Sequence, residues 1–160
     1  MSKKWISILL AVVLLAATFS TVFAEAAPGT CPHNRTVKVG RQGFFSTNPD
    51  FACQTNARRV NASAAPVPSS LKFVRPLLRL ESKTVQPASV VFSGKTSVFF
   101  DLNKNQEKAW KAGVLAIYFY NPTLKTWTKL SSSSLPMKGS AFRIGSPIYQ
   151  YGLYGLAKSD

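Results

Sequence analysis

From residue 71 onward, the chain alternates short runs of β-branched and aromatic residues with Pro, Gly, Asn and Ser. This pattern is typical of an all-β domain built from short strands. The predicted strands cover residues 71–74, 77–80, 89–92, 97–102, 114–121, 126–130, 141–144 and 149–156, and one more is predicted earlier, at 36–39. Seven or eight short strands within about 90 residues favour an antiparallel β-sandwich over a barrel or a parallel sheet.

The two strongest strand patterns differ in how many faces they bury. In 97–102, Val98, Phe100 and Leu102 point the same way, so one face of this strand is predicted to be buried. In 114–121, both alternating sets of side chains are apolar, which predicts a strand covered on both faces. The predicted core residues of that second strand are Leu115, Ile117 and Phe119.

Two connections between strands carry local signals. Asn121 and Pro122 start a turn, because proline fixes φ, and they predict a β-hairpin to the next strand. Residues 103–111 favour a helix over a strand, because Glu107 and Lys111 stand four residues apart and can pair on one helix face. We predict one or two helical turns there.

The N-terminal residues have the anatomy of a secretory signal peptide. Lys3 and Lys4 precede an apolar run at 5–17 that is short for a membrane span, and Val22 and Ala24 suit a cleavage site after residue 24. We expect residues 1–24 to be removed. The mature chain would then be secreted or extracellular, with a periplasmic or cell-surface location as alternatives.

Export would place Cys31 and Cys53 in an oxidising compartment, where two cysteines most simply form one disulfide. Half a metal site is the weaker alternative, because His33 is the only histidine in the chain. The predicted organisation is an N-terminal extension at 25–59 pinned by the disulfide, a linker at 60–70, and the β-sandwich domain at 71–160.

The charge of the chain is strongly unbalanced, with 20 Lys and Arg against 6 Asp and Glu. The formal net charge of +14 becomes +12 without Lys3 and Lys4. Such an excess favours anionic partners: an anionic polysaccharide, a cell-wall polymer or a lipid surface, with no specific nucleic acid expected. The candidate binding residues are Arg58, Arg59, Lys72, Arg75, Arg79 and Lys83. The alternative is that the charge serves only solubility.

The sequence offers no recognisable catalytic constellation. A serine nucleophile would need a base, and His33 is the sole histidine. Asp101 is expected to pair with a lysine rather than to act as an acid or base. We therefore predict no catalytic residue, metal or cofactor. Trp127 and Tyr149 are the candidate exposed aromatic contacts for a sugar ring or a base, because they lie near strand ends.

The C-terminal part resembles a known class of module. The run YFYNP at 118–122, followed by Trp127 and then YGLYGL at 151–156, resembles the closing hairpin and last strand of small C-terminal β-sandwich modules in secreted bacterial surface proteins. The resemblance covers about the last 90 residues and implies a non-catalytic appendage. The expected function is a secreted, cationic β-sandwich protein that associates with an anionic cell-surface or extracellular polymer. The alternatives are a structural accessory module without a specific ligand, or a secreted hydrolase or inhibitor.

Overall fold

The computed structural model describes residues 34–83, 95–137 and 142–159, which all belong to one compact unit. In chain order, its elements are β1 (Arg35–Val39), β2 (Gln42–Ser46), α1 (Pro49–Gln54), β3 (Thr55–Val60), a 3-10 helix (Ala62–Ala64), β4 (Leu71–Phe73), β5 (Leu77–Ser82), β6 (Thr96–Leu102), α2 (Lys104–Lys111), β7 (Leu115–Asn121), β8 (Thr126–Lys129), β9 (Ser133–Leu135), β10 (Phe142–Pro147) and β11 (Gly152–Ser159). Neither helix is long and apolar enough to cross a membrane.

The strands form two antiparallel sheets. The first sheet has the order β1-β2-β6-β10-β9, and the second has the order β3-β5-β11-β7-β8. The short β4 adds to the second sheet by pairing with the C-terminal end of β11. The predicted all-β sandwich is confirmed.

The main hydrophobic core lies between the two sheets. Phe44, Phe100 and Ile144 of the first sheet pack in one cluster with side chains from the second sheet. Three members of that cluster are the predicted core residues Leu115, Ile117 and Phe119. The predicted hairpin after β7 and the predicted helix at 103–111 are both present, the latter as α2.

The outer face of the second sheet carries a second apolar layer. Ala65 packs against Leu77 and Leu153, and Ala116, Tyr118 and Ala157 form a neighbouring cluster. Strand β7 is therefore covered on both faces, as predicted. The segment predicted as a linker at 60–70 supplies part of this cover, since it contains the 3-10 helix and the buried Ala65.

The prediction that β6 buries only one face is wrong. Phe99 and Asp101, on the outer face of the first sheet, are only 1% and 5% exposed. Phe99 has a glycine as its cross-strand partner on each side, Gly43 on β2 and Gly145 on β10. The Arg143 guanidinium lies 3.9 Å from the Phe99 ring centre. A charged side chain therefore covers this face, which an apolar pattern cannot reveal.

Five elements have no counterpart among the predictions: β2, α1, β3, the 3-10 helix and β9. Strands β1 to β3 come from the predicted extension at 25–59 and occupy positions in both sheets. Strand β3 is an edge strand with two arginines, so it lacks an apolar alternation.

Three predictions fall outside the described residues. They are the signal peptide at 1–24, the strand at 89–92 and one half of the predicted disulfide, Cys31. No disulfide with Cys31 can therefore be placed within the described residues. Cys53, near the end of α1, is half-buried and is not a free thiol.

Candidate anion-binding site

A break between β4 and β5 places one arginine away from the sheet ladder. Both strands pair with β11, and the three residues between them include Pro76, which has no N–H to donate to the ladder. Val74 still donates its N–H to the carbonyl oxygen of Leu156, at 3.0 Å. Arg75 lies between Val74 and Pro76 in the chain, and its guanidinium points toward the first sheet and α2.

The Arg75 guanidinium connects three elements. Its Nη1 donates to the carbonyl oxygens of Arg41, at 3.1 Å, and Asp101, at 3.0 Å, and its Nη2 donates to Oε1 of Gln106, at 2.5 Å. Burial lowers the pKa of Arg75, and the positive charges of Arg41 and Arg59 lower it further, against the opposing effect of Asp101. The side chain is thus fixed in place within an electropositive setting.

A cavity of about 320 Å³ opens beside this arginine. Its polar lining residues are Arg41, Gln42, Arg59, Arg75, Asn103 and Gln106, and no carboxylate is among the residues that line it. Arg41 follows Gly40 in the turn between β1 and β2, where Gly40 adopts a φ of +68° that glycine tolerates without strain. Arg59 reaches this turn from the second sheet, since a Cβ on Gly40 would lie 3.5 Å from its Nη1.

Gln42 is a lining residue of the cavity with an unpaired donor. It is 2% exposed, and its side-chain Nε2 has no hydrogen-bond partner. Leaving a buried amide unpaired costs about 1–3 kcal/mol. Nε2 itself is buried, so it lies behind the accessible surface of the cavity and keeps an unmet donor there.

The start of α2 supplies two more amide side chains. Asn103 caps the helix by accepting from the Gln106 N–H at 2.8 Å, and the Gln106 side chain accepts from the Asn103 N–H at 3.2 Å. The Gln106 oxygen also accepts from Arg75. Both amide side chains are thus held in place beside the cavity by hydrogen bonds through their oxygens. We call this cationic cavity the arginine pocket.

The structure divides the six predicted basic residues. Arg59 and Arg75 line the arginine pocket, whereas Arg58 and Arg79 bind Glu81, with nitrogen–oxygen distances of 3.0 and 3.3 Å. Burial opposes the charge of Glu81, but the hydrogen bond from Arg58 and the charges of both arginines hold its pKa below its usual range. The remaining two lie elsewhere: Lys72 is exposed opposite Lys158 in the β4–β11 pair, and Lys83 is exposed just after β5.

The two candidate aromatic residues have different surroundings. Trp127 packs against Phe73 and Tyr120, with ring centres 4.6 and 5.2 Å apart, and its Nε1 donates to the carbonyl oxygen of Pro66 at 2.7 Å. Tyr149 is 61% exposed. Trp127 thus has a packing role in the outer layer of the second sheet, and Tyr149 is the one with a free ring surface.

Asp101 forms ion pairs on the outer face of the first sheet, as predicted. Its carboxylate contacts Lys38 Nζ at 3.0 Å and Arg143 Nε at 2.6 Å. Burial opposes its charge, yet these two hydrogen bonds hold the pKa of Asp101 below its usual range. No group of three or more His, Cys, Asp or Glu that could hold a metal occurs among the described residues.

Sequence reasoning missed four of the six polar residues that line the arginine pocket: Arg41, Gln42, Asn103 and Gln106. A capping box, Asn103 with Gln106 three residues later, was a readable signal for the helix start. Nothing local indicated Arg41 or Gln42, because only the fold brings them beside Arg59 and Arg75.

Comparison with known proteins yields no relative. No family model matches the chain, and neither the curated proteins nor the solved structures contain a significant match.

Proposed function

We propose that this chain is a secreted, non-enzymatic binding protein that associates with an anionic cell-surface or extracellular polymer. The observation that carries the proposal is the arginine pocket, whose three arginines have no carboxylate among the other lining residues. Three positive charges, offset in part by the charge of Asp101, attract anions and orient them. The proposal assigns no reaction to the pocket.

Two further features support this function. The formal net charge of +12 that remains without Lys3 and Lys4 would draw an anionic polymer toward the protein before specific contacts form. Arg41 and Arg59 are exposed, and neither is in an ion pair within the described part of the chain. They are therefore available to a ligand, unlike Arg58 and Arg79.

The test is salt-dependent retention on a polyanionic matrix. We expect Arg41→Gln/Arg59→Gln to elute at clearly lower salt than the unmodified protein, because two pocket cations are lost. The matched control is Lys125→Gln/Lys129→Gln, which removes the same charge from exposed positions around β8, at the opposite edge of the second sheet from β3. Equal loss in both variants would support the alternative, a module whose charge serves only solubility, and would overturn the proposal.

Secretion and the disulfide belong to the same proposal. We propose that residues 1–24 direct export and that Cys31 pairs with Cys53 afterwards. A thiol-labelling reagent should find no free thiol in the folded protein, and replacing both cysteines by serine should lower stability by about 3 kcal/mol for a loop of this size. Two labelled thiols in the native protein would contradict the pairing.

A further inference from the structure

We infer that the arginine pocket binds one tetrahedral oxyanion, a phosphate or sulfate group carried on the anionic polymer. This inference rests on the proposed function and narrows it to one chemical group. The shared chemistry is a group with three or four acceptor oxygens that point in different directions.

The first argument is the direction of the donors. Arg41 lies in the turn before β2 and Gln42 in β2, Arg59 lies in β3 and Arg75 between β4 and β5, and Asn103 and Gln106 lie at the start of α2. A carboxylate accepts hydrogen bonds near one plane, whereas a phosphate presents three strong acceptor oxygens around a centre. Polar residues that surround the pocket from several separate elements suit the tetrahedral group better.

The second argument is the balance of charge inside the pocket. Three arginines line it without a lining carboxylate, and Asp101, whose charge acts on Arg75 from outside the lining, pairs with Lys38 and Arg143. A single carboxylate would leave more positive charge unmatched than a phosphate monoester, which carries a charge of about −1.5 to −2, whereas a sulfate ester equals the carboxylate in charge and differs from it in geometry. Burial, and after it the charges of Arg41 and Arg59, lower the pKa of Arg75, and the more highly charged anion would offset more of this unfavourable setting.

The third argument is the unpaired Nε2 of Gln42. Gln42 lines the pocket and its Nε2 is unpaired but buried, so this donor would bind an oxyanion oxygen once the side chain turns toward the pocket. The volume of about 320 Å³ exceeds that of the oxyanion alone and is at the lower end of the range of small-molecule sites. It leaves space for part of the unit that carries the group, and this agrees with recognition of a substituent on a chain.

Calorimetric titration of the purified protein tests the inference at constant ionic strength. The probes are inorganic phosphate, glycerol phosphate and sulfate, with acetate and glucuronate as planar carboxylates. We expect the tetrahedral anions to bind at least about tenfold more tightly than the carboxylates. Tighter binding of phosphate than of sulfate would identify a phosphorylated polymer as the source, and the reverse order would identify a sulfated one. Equal or tighter binding of the carboxylates would overturn the inference.

Variants at Gln42 probe the pocket itself. Gln42→Met keeps the side-chain size and removes the unpaired donor, so phosphate affinity should fall about tenfold while stability is kept or rises. Gln42→Glu places an internal carboxylate beside the arginines and should abolish phosphate binding. Arg59→Gln leaves the buried Gln42 position intact and should also lower the phosphate affinity at least about tenfold. Lys125→Gln/Lys129→Gln should change the phosphate affinity less than about threefold. Unchanged phosphate affinity in folded Arg59→Gln and Gln42→Met proteins would overturn the site.

The two proposals can fail separately. Polyanion retention that depends on Arg41 and Arg59, combined with no preference for phosphate or sulfate, would leave the proposed function standing and overturn the tetrahedral group. Retention that ignores the pocket arginines would overturn the proposed function, whatever small anions bind.

Discussion

At the scale of single residues, Arg75 has a structural role that the other pocket arginines lack. Its guanidinium donates to two carbonyl oxygens near the first sheet and to Gln106, while its backbone lies between two strands of the second sheet. Replacing it by Met should lower the free energy of unfolding by about 3 kcal/mol, because three hydrogen bonds from a charged donor are lost. Arg59→Gln should cost less than about 0.5 kcal/mol, since Arg59 is exposed.

Urea denaturation measures both variants. An equal loss of stability at the two positions would show that Arg75 does not connect the sheets. The difference also bears on function, because Arg75→Met would weaken binding partly through the fold. Arg59 is therefore the better single substitution for a binding experiment.

Asp101 gives the molecule an acid-sensitive ion pair. Its pKa is lower in the folded protein than in the unfolded chain, where it is about 3.9. Its contribution to stability is therefore complete above that unfolded pKa and is lost as the pH falls through the folded pKa. Asp101→Asn should cost about 2 kcal/mol at pH 7 and less at low pH.

Denaturation curves at neutral pH and below pH 4 test this difference. The unmodified protein should lose more stability than Asp101→Asn over that interval, while Glu81, whose pKa is also lowered, contributes equally to both proteins. Parallel losses in the two proteins would mean that the pairs with Lys38 and Arg143 contribute nothing.

At the scale of elements, the segment from Val60 to Leu71 is held on the outer face of the second sheet by Trp127. The indole donates to the carbonyl oxygen of Pro66 and its ring packs on Phe73. Trp127→Phe should keep most of the packing and cost about 1 kcal/mol for the lost hydrogen bond. Trp127→Ala should expose the segment and accelerate hydrogen exchange at the amides of Ala64 and Ala65, which close the 3-10 turn.

Leu124→Ala is the matched control for this element. Leu124 lies in the same hairpin as Trp127 but is 68% exposed, so its loss should change stability by less than about 0.5 kcal/mol. Unchanged exchange at Ala64 and Ala65 in Trp127→Ala would show that other contacts hold the segment.

At the scale of the whole molecule, the fold class could be predicted from the sequence, but the arginine pocket could not. Strongly apolar strands such as β7 are readable because burial on both faces leaves a continuous run. Strand β3 and the buried outer face of β6 could not be predicted from the sequence, because arginine side chains and glycines take the place of alternating apolar residues there. The arginine pocket joins residues from positions 41 to 106, and no local pattern records that they meet.

The excess of positive charge also predicts how the whole molecule responds to salt. Self-repulsion destabilises a compact state of high net charge, and raising the ionic strength from about 0.01 to 0.15 M shortens the screening length from about 30 to 8 Å. The thermal midpoint should therefore rise with sodium chloride, by about 3 °C for each kcal/mol of repulsion relieved. Arg41→Gln/Arg59→Gln should respond less, because part of the repulsion around Arg75 has been removed. A midpoint that falls with added salt would show that attractive surface pairs, rather than repulsion, dominate the electrostatics of the fold.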